Sequence, residues 1–217
     1  MDTTAFQSAI AAFKQDNDLS ALKTSLMAFF QIPAIAPELD AWLAGEEPPN
    51  GPFLLTSFER ACEWVPSFEH LLHRFGEVPF PAMNVGGDDG IDFWLVLETG
   101  RVISLHHDAT FYEEAGYIET DDISEFMRRF ERVGSSFTFS QLSQLNALTA
   151  DLDEGDDETF GKELLKATAQ VLGISLRKAA ECVDDSSMEI IYRKLGDLYD
   201  FPEEMEAFLD EEEPLES

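Results

Sequence analysis

The sequence predicts an α+β fold: an antiparallel sheet flanked by helices, followed by an all-helical C-terminal region. Three observations predict it. Apolar residues recur at helical spacing through residues 4–75. The period then switches to two between residues 78 and 106, around a hairpin signal at Glu98-Thr99-Gly100-Arg101. From Ser140 onward the spacing is helical again.

Residues 4–15 place Phe6, Ile10 and Phe13 on one helical face. Asp18 is a candidate N-cap for a second helix with Leu19, Leu22, Leu26, Phe29 and Phe30 on its apolar side, because a carboxylate there accepts an otherwise unpaired backbone N–H. Pro33 and Pro37 stop that helix. Pro37 to Leu43 reads as a short helix with proline where its missing N–H costs little, and Gly45 ends it. Glu46 to Pro52 is a loop, and Phe53-Leu54-Leu55 a short apolar run. Thr56 and Glu59 have capping-box spacing for a helix through Trp64, which Pro66 breaks. Ser67 starts a further turn or two through His70, Leu71, Leu72 and Phe75, closed by Gly76.

Val78 to Met83 is extended, and its prolines favour a sheet edge because they cannot donate to a ladder. Gly86-Gly87-Asp88-Asp89-Gly90 is a turn. Ile91 to Leu97 is a strand with Ile91, Phe93, Leu95 and Leu97 on one face and Asp92, Trp94 and Val96 on the other. Val102 to His106 is the next strand. A loop holds Phe111, Tyr112 and Tyr117, and Asp121 or Asp122 caps a helix burying Ile123, Phe126, Met127 and Phe130. Gly134-Ser135-Ser136 closes the first region. The helices that follow are marked by Leu142, Leu145 and Leu148, by Phe160, Leu164 and Leu165, and by Val171 and Leu172. Further helical sets are Met188, Ile191 and Leu195, then Met205, Phe208 and Leu209. Asp151 to Glu158 reads as a solvated acidic linker, and Glu211-Glu212-Glu213-Pro214 as a disordered acidic tail.

The chain has 217 residues, with 44 Asp+Glu against 14 Lys+Arg, a net charge of −30. Binding nucleic acid or an acidic membrane by neutralising phosphates requires a basic surface, so both classes are excluded as direct partners. Disorder is excluded as well, because 44% of residues are hydrophobic and 18 are Phe. Residues 1–150 and 151–217 carry −15 each. The C-terminal part is therefore more than twice as dense in charge, as expected of a second module. The expected division is 1–135 for the α+β domain with its N-terminal helices, 136–159 for a helix and acidic linker, and 160–217 for a helical region with an acidic tail. Cys62 and Cys182 are expected to be reduced thiols of a cytoplasmic protein. No basic, apolar leader opens the chain, and no stretch approaches the roughly 20 apolar residues of a membrane span.

Candidate chemistry is sparse. His70 and His73 share a helical face, and His106 and His107 end a strand beside Asp108. Together they have the donor types of a metal-dependent enzyme, but no metal motif has this long-range spacing. Two unrelated surface pairs, with no metal and no cofactor, are the expectation. The run from Asp151 imitates a calcium loop, but Asp156 stands where glycine is needed and Lys162 where the closing glutamate belongs. Ala169 to Ser175 resembles the corner of a helix-turn-helix. Residues 161–185 sum to zero charge, so an ordinary helix corner is expected, with Gly173 ending one helix and Ser175 capping the next. No phosphate loop, nucleophile elbow or paired-cysteine zinc pattern is present, and no enzyme is expected.

One ordered set of motifs resembles a family. Pro79-Phe80, the turn Gly86 to Gly90, the strand Asp92-Phe93-Trp94-Leu95, Gly100-Arg101-Val102-Ile103, His106-His107-Asp108 and the helix Asp122 to Met127 follow one another. In that order they resemble the SUKH superfamily, the Smi/Knr-like and bacterial immunity-protein fold. Ile32-Pro33, Trp42-Leu43 and Gly45 resemble a degenerate version of its upstream segment, with the family's Asn-Gly displaced to Asn50-Gly51. The resemblance spans residues 30–133, and the C-terminal helices have no counterpart in it.

The resemblance implies a binding fold rather than an enzyme, and in particular a protein that neutralises a cognate toxin such as a nuclease. Charge points the same way independently, because a strongly negative surface attracts a basic partner. The candidate partner-binding residues are Asp88, Asp89, Asp92 and Trp94, with Asp108, Glu113 and Glu114 on the following loop. Trp94 shares a strand face with Asp92 and serves as an aromatic anchor if that face is open. The alternatives are a regulatory scaffold working through the C-terminal helices, and the metal-dependent enzyme of the histidine pairs.

Overall fold

The computed structural model describes residues 3–47, 51, 53, 55–68, 79–82, 91–106, 131–133, 137–152, 157–183 and 202–213. Within them the chain mixes helices with an antiparallel sheet, an α+β architecture. Contacts divide it into two units. The first is Met1–Pro48, Leu55–Arg132 and Thr138–Ser140; the second is Pro49–Leu54, Val133–Phe137 and Gln141–Ser217.

In the first unit, helix α1 (Thr3–Asp16) buries Phe6, Ile10 and Phe13, the predicted face. Helix α2 (Leu19–Phe30) starts where predicted, with the Ala21 N–H donating to Asp18 Oδ1 at 3.0 Å. Leu22, Leu26, Phe29 and Phe30 are buried along it. It ends before either proline, because Gln31 turns left-handed at φ 57° and the Ile32 N–H returns to the Met27 carbonyl. The predicted short helix divides into a 3-10 turn, Pro37–Leu39, and one α-turn, α3 (Asp40–Leu43). Gly45 at φ +87° closes it.

Helix α4 (Phe58–Phe68) departs from expectation at both ends. Its cap is Ser57, whose Oγ accepts from the Arg60 N–H at 3.3 Å. Thr56 is spent elsewhere: its N–H donates to the Ala82 carbonyl, and its own carbonyl accepts from Trp42 Nε1. The cap therefore moves one residue along. Pro66 does not break the helix, which runs on to Phe68. Proline removes one hydrogen bond, but Phe58, Ala61, Cys62 and Val65 are all buried along the preceding turns and hold them. The further turn expected through Phe75 lies outside the described residues.

The sheet has the order β1-β2-β3-β4, with β1 (Pro79–Pro81), β2 (Ile91–Val96), β3 (Arg101–His106) and β4 (Glu131–Val133). The proline strand sits at the edge, as its missing donors require. Strands β1 and β2 pair antiparallel with Phe80 opposite Leu95, and β2 and β3 with Trp94 opposite Ile103. At the hairpin turn, Gly100 adopts φ +71° and its N–H donates to the Val96 carbonyl at 2.8 Å. The turn is clamped from outside: the Ala36 N–H donates to Leu97 O at 2.8 Å and the Phe139 N–H to Gly100 O at 2.7 Å. The Glu38 carboxyl lies where a Cβ on residue 100 would be; that side-chain end can swing aside, so it is the positive φ that calls for glycine here.

The second unit contains most of α5 (Phe139–Thr149), together with α6 (Asp157–Leu172), α7 (Leu176–Val183) and α8 (Pro202–Glu212). Helix α6 takes in the last two residues of the predicted acidic linker. The buried face of α5 is Leu142, Leu145, Asn146 and Thr149, and Leu148 is 47% exposed. Helical spacing alone fits either set; the choice falls on Asn146 because its amide has work there. Asn146 Oδ1 accepts from the Phe53 N–H at 3.1 Å and Nδ2 donates to the Phe53 carbonyl at 2.8 Å. The amide thus pairs with the backbone of Phe53 as a neighbouring strand would. Gly51 lies so close that a Cβ would stand 2.7 Å from the Asn146 Cα. The expected helix corner is present: Gly173 at φ +66° ends α6, and Ser175 Oγ accepts from the Lys178 N–H at 3.1 Å. The expected disordered tail is in fact helical through Glu212, with Glu213 hydrogen-bonded. The helices expected around Ile123 and Ile191 lie outside the described residues.

Two outcomes follow. Asn146→Ala leaves two buried backbone groups of Phe53 without partners and costs about 2–4 kcal/mol, read from the urea midpoint at unchanged slope. Partial burial raises the Glu38 carboxyl above its usual pKa. The folded state then holds that proton more tightly than the unfolded chain, a contribution complete below the ordinary carboxylate pKa and lost as pH rises through the raised one. Glu38→Gln is therefore expected to raise the thermal midpoint by about 1 °C at neutral pH, with the gain vanishing in acid.

Candidate functional site

The residues proposed from sequence centre on the β2–β3 hairpin, and the register decides what they can do. Across the strands, Asp92 stands opposite Leu105, Trp94 opposite Ile103 and Pro81, and Val96 opposite Arg101. These residues share one face. Leu95 stands opposite Val102 and Phe80 on the other. Both faces are covered at this end of the hairpin: Trp94 is 2% exposed, Ile103 1%, Leu95 0% and Val102 2%.

Trp94 is therefore a core side chain and does not present an anchor at the surface. The alternation of Asp92, Trp94 and Val96 leaves it undecided whether that strand face is open or covered. The run Trp94-Leu95-Val96-Leu97, in which all four are buried, is the pattern of a strand covered on both sides. Asp92 is the second residue of that strand, four ladder positions from the turn-end pair Val96 and Arg101. Asp88, Asp89, Asp108, Glu113 and Glu114 lie outside the described residues, as do His70, His73 and His107. His106 closes β3 opposite Ile91. Among the described residues, no group of three or more His, Cys, Asp or Glu could hold a metal ion.

Neither cysteine forms a disulfide. Cys62 lies on the buried face of α4, and desolvation pushes its thiol far above the ordinary range, so it is not a thiolate nucleophile. No helix among the described residues is long and apolar enough to cross a membrane.

Four cations of the described surface, Lys14, Lys23, Lys166 and Arg177, join one helix to another. Lys14 of α1 meets both Glu59 (3.2 Å) and Glu63 of α4. The hydrogen bond to Glu63, and then that to Glu59, raises its pKa. Lys23 of α2 pairs with Asp40 of α3. In the second unit, Lys166 of α6 reaches Glu212 at 2.8 Å and Glu163 at 3.1 Å, and the Glu212 hydrogen bond is the main cause of its raised pKa. Arg177 of α7 meets Glu206 and Asp210 of α8. Sequence reading missed this last set. Arg177 lies 29 and 33 positions from its partners, a separation that leaves no periodic signal.

Comparison with protein-family models, with curated proteins and with solved structures finds no match to this chain.

The burial of Trp94 predicts its mutant. Trp94→Ala is expected to cost about 3–5 kcal/mol through the cavity it leaves. Denaturant unfolding measures that loss, and a binding defect of this variant should scale with the fraction unfolded rather than exceed it.

Proposed function

We propose that this chain is a non-enzymatic protein-binding module of the kind the SUKH immunity proteins exemplify, blocking a cognate partner that is basic, with a nuclease-type toxin as the fitting chemistry. The observation that carries the reading is the charge: 44 carboxylates face 14 cations. Internal pairing cannot neutralise such a surplus, so the molecule projects a negative field. A partner with a phosphate-binding surface is drawn to that field and is occluded by it. The order of sequence motifs from Pro79 to Met127 supports the family part of the reading. The acids Asp88, Asp89 and Asp92, with Asp108, Glu113 and Glu114, are the proposed contact set, without Trp94. A cytoplasmic location suits this role.

One observation favours a second reading, a regulatory scaffold acting through the C-terminal helices. These helices belong to a separate unit with its own core, including Leu142, Leu145, Phe160, Leu164, Leu165 and Leu176. Helix α8 also exposes Glu203, Glu204 and Glu211.

The immobilised chain is used to capture a basic partner from a lysate of the source cell, and association is then timed by stopped flow. The proposal expects the association rate to fall about tenfold or more between roughly 50 and 300 mM NaCl. Neutralising Asp88, Asp89 and Asp92 to Asn should slow association, while Glu203, Glu204 and Glu211 to Gln should change it little. The reverse ranking supports the scaffold reading, and a rate independent of salt defeats the electrostatic one.

A further inference from the structure

Helix α8 has an unusual composition for a helix that is folded. In Pro202–Glu212 it carries Glu203, Glu204, Glu206, Asp210, Glu211 and Glu212 and no cation. Glu206 and Asp210 are four apart and repel along one face. Asp210, Glu211 and Glu212 crowd the C-terminal turn, where the helix dipole is already negative. Among its described side chains, Met205, Phe208 and Leu209 are buried. Pro202 and the first-turn acids Glu203 and Glu204 suit the start of the helix, but a segment of 11 residues with such a last turn is marginal alone, so its order depends on what it touches.

What it touches is specific. Glu213, just past the helix end, places its carboxylate on the start of α7: the Leu176 N–H donates to Oε1 at 2.8 Å and the Arg177 N–H to Oε2 at 3.3 Å. Those two donors lack partners within their own helix, and the N-terminal dipole of α7 favours the charge. Arg177 Nε donates to the Glu213 carbonyl at 3.3 Å, satisfying a backbone acceptor at the end of α8. The Arg177 guanidinium also meets Glu206 and Asp210, the pair that repel one another. Its side chain is 22% exposed, against 58% for Lys178 in its ordinary surface pair with Glu181. Lys166 adds a second point, meeting Glu212 and lying 5.4 Å from the centre of the Phe208 ring.

We infer that residues 202–213 form a detachable strap, folded onto α6 and α7 by an ionic clasp of Glu213, Arg177 and Lys166, which opens as a unit before the rest of the second unit unfolds. Each contact in the clasp offsets a specific defect of α8: Arg177 relieves the Glu206–Asp210 repulsion, Lys166 answers the charge of the last turn, and the α7 N-terminus receives Glu213. Removing the cations leaves a helix with three buried apolar side chains and six acids. Opening frees the carboxylates of Glu206, Asp210, Glu212 and Glu213 and uncovers the surface beneath Met205, Phe208 and Leu209. The inference does not depend on the proposed partner.

Hydrogen exchange by mass spectrometry on the full chain tests it. In the unaltered protein, raising NaCl to about 0.5 M should speed exchange in peptides covering 202–213 but not in 139–149, because ionic contacts are screened and apolar burial is not. Arg177→Ala should raise exchange across 202–213 by about tenfold or more. Glu213→Gln should act in the same direction more weakly and also expose the amides of residues 176 and 177. Peptides of 139–149 stay unchanged in both variants. Exchange in 202–213 that ignores salt and both substitutions overturns the strap. So does a rise shared equally by 139–149, which would make α8 an integral part of the unit rather than a piece that opens alone.

Discussion

Three helical elements and the sheet of the first unit meet on one ring. Phe80 stands on a three-residue edge strand and is fully buried. Its centroid lies 5.8 Å from Phe30 of α2, 5.8 Å from Trp42 of α3 and 6.1 Å from Phe58 of α4. Opposite it in the ladder is Leu95, at 0% exposure. Aromatic pairs at these separations add about 0.5–1.5 kcal/mol each beyond the area they bury, so the cluster outweighs any surface ion pair in the unit. Its placement also constrains the backbone around it. Trp42 needs a carbonyl for its indole N–H and takes that of Thr56. Thr56 in turn donates to Ala82, one residue past the edge strand, which leaves Ser57 to cap α4.

Electrostatics plays the complementary part. With 14 cations for 44 carboxylates, each positive charge is scarce. Lys14, Lys23, Lys166 and Arg177 each join two helices. Exposed pairs contribute about 0–1 kcal/mol, so they do not fold the protein. They decide where acidic segments come to rest once apolar packing has brought them near. Where packing is thin, as along α8, that decision has visible weight.

Much of the secondary structure was legible in the residues. The faces of α1 and α2, the Asp18 cap, the proline edge strand, the hairpin at Gly100 and the corner at Gly173 and Ser175 all follow from short-range rules. A cap, a turn and an amphipathic stripe are each set by atoms within a few positions of one another. The candidate site was less legible. Asp92 lies on the predicted strand, but the exposure of its neighbour Trp94 depended on what covers each sheet face, and alternation in one strand carries no information about that.

What the sequence determined by itself is the type of most described elements, the antiparallel hairpin and a net charge of −30. These depend on local geometry and on composition, which no fold can change. Tertiary structure alone decided that α4 runs through Pro66, that Asn146 rather than Leu148 faces inward, that Trp94 is buried, and that the acidic residues 211–213 are ordered. In each case the deciding partner is remote: Asn146 answers Phe53, 93 positions away, and Glu213 answers Leu176, 37 away. A buried polar group or a clustered charge is unfavourable until its partner is in place, and only the folded chain brings the two together.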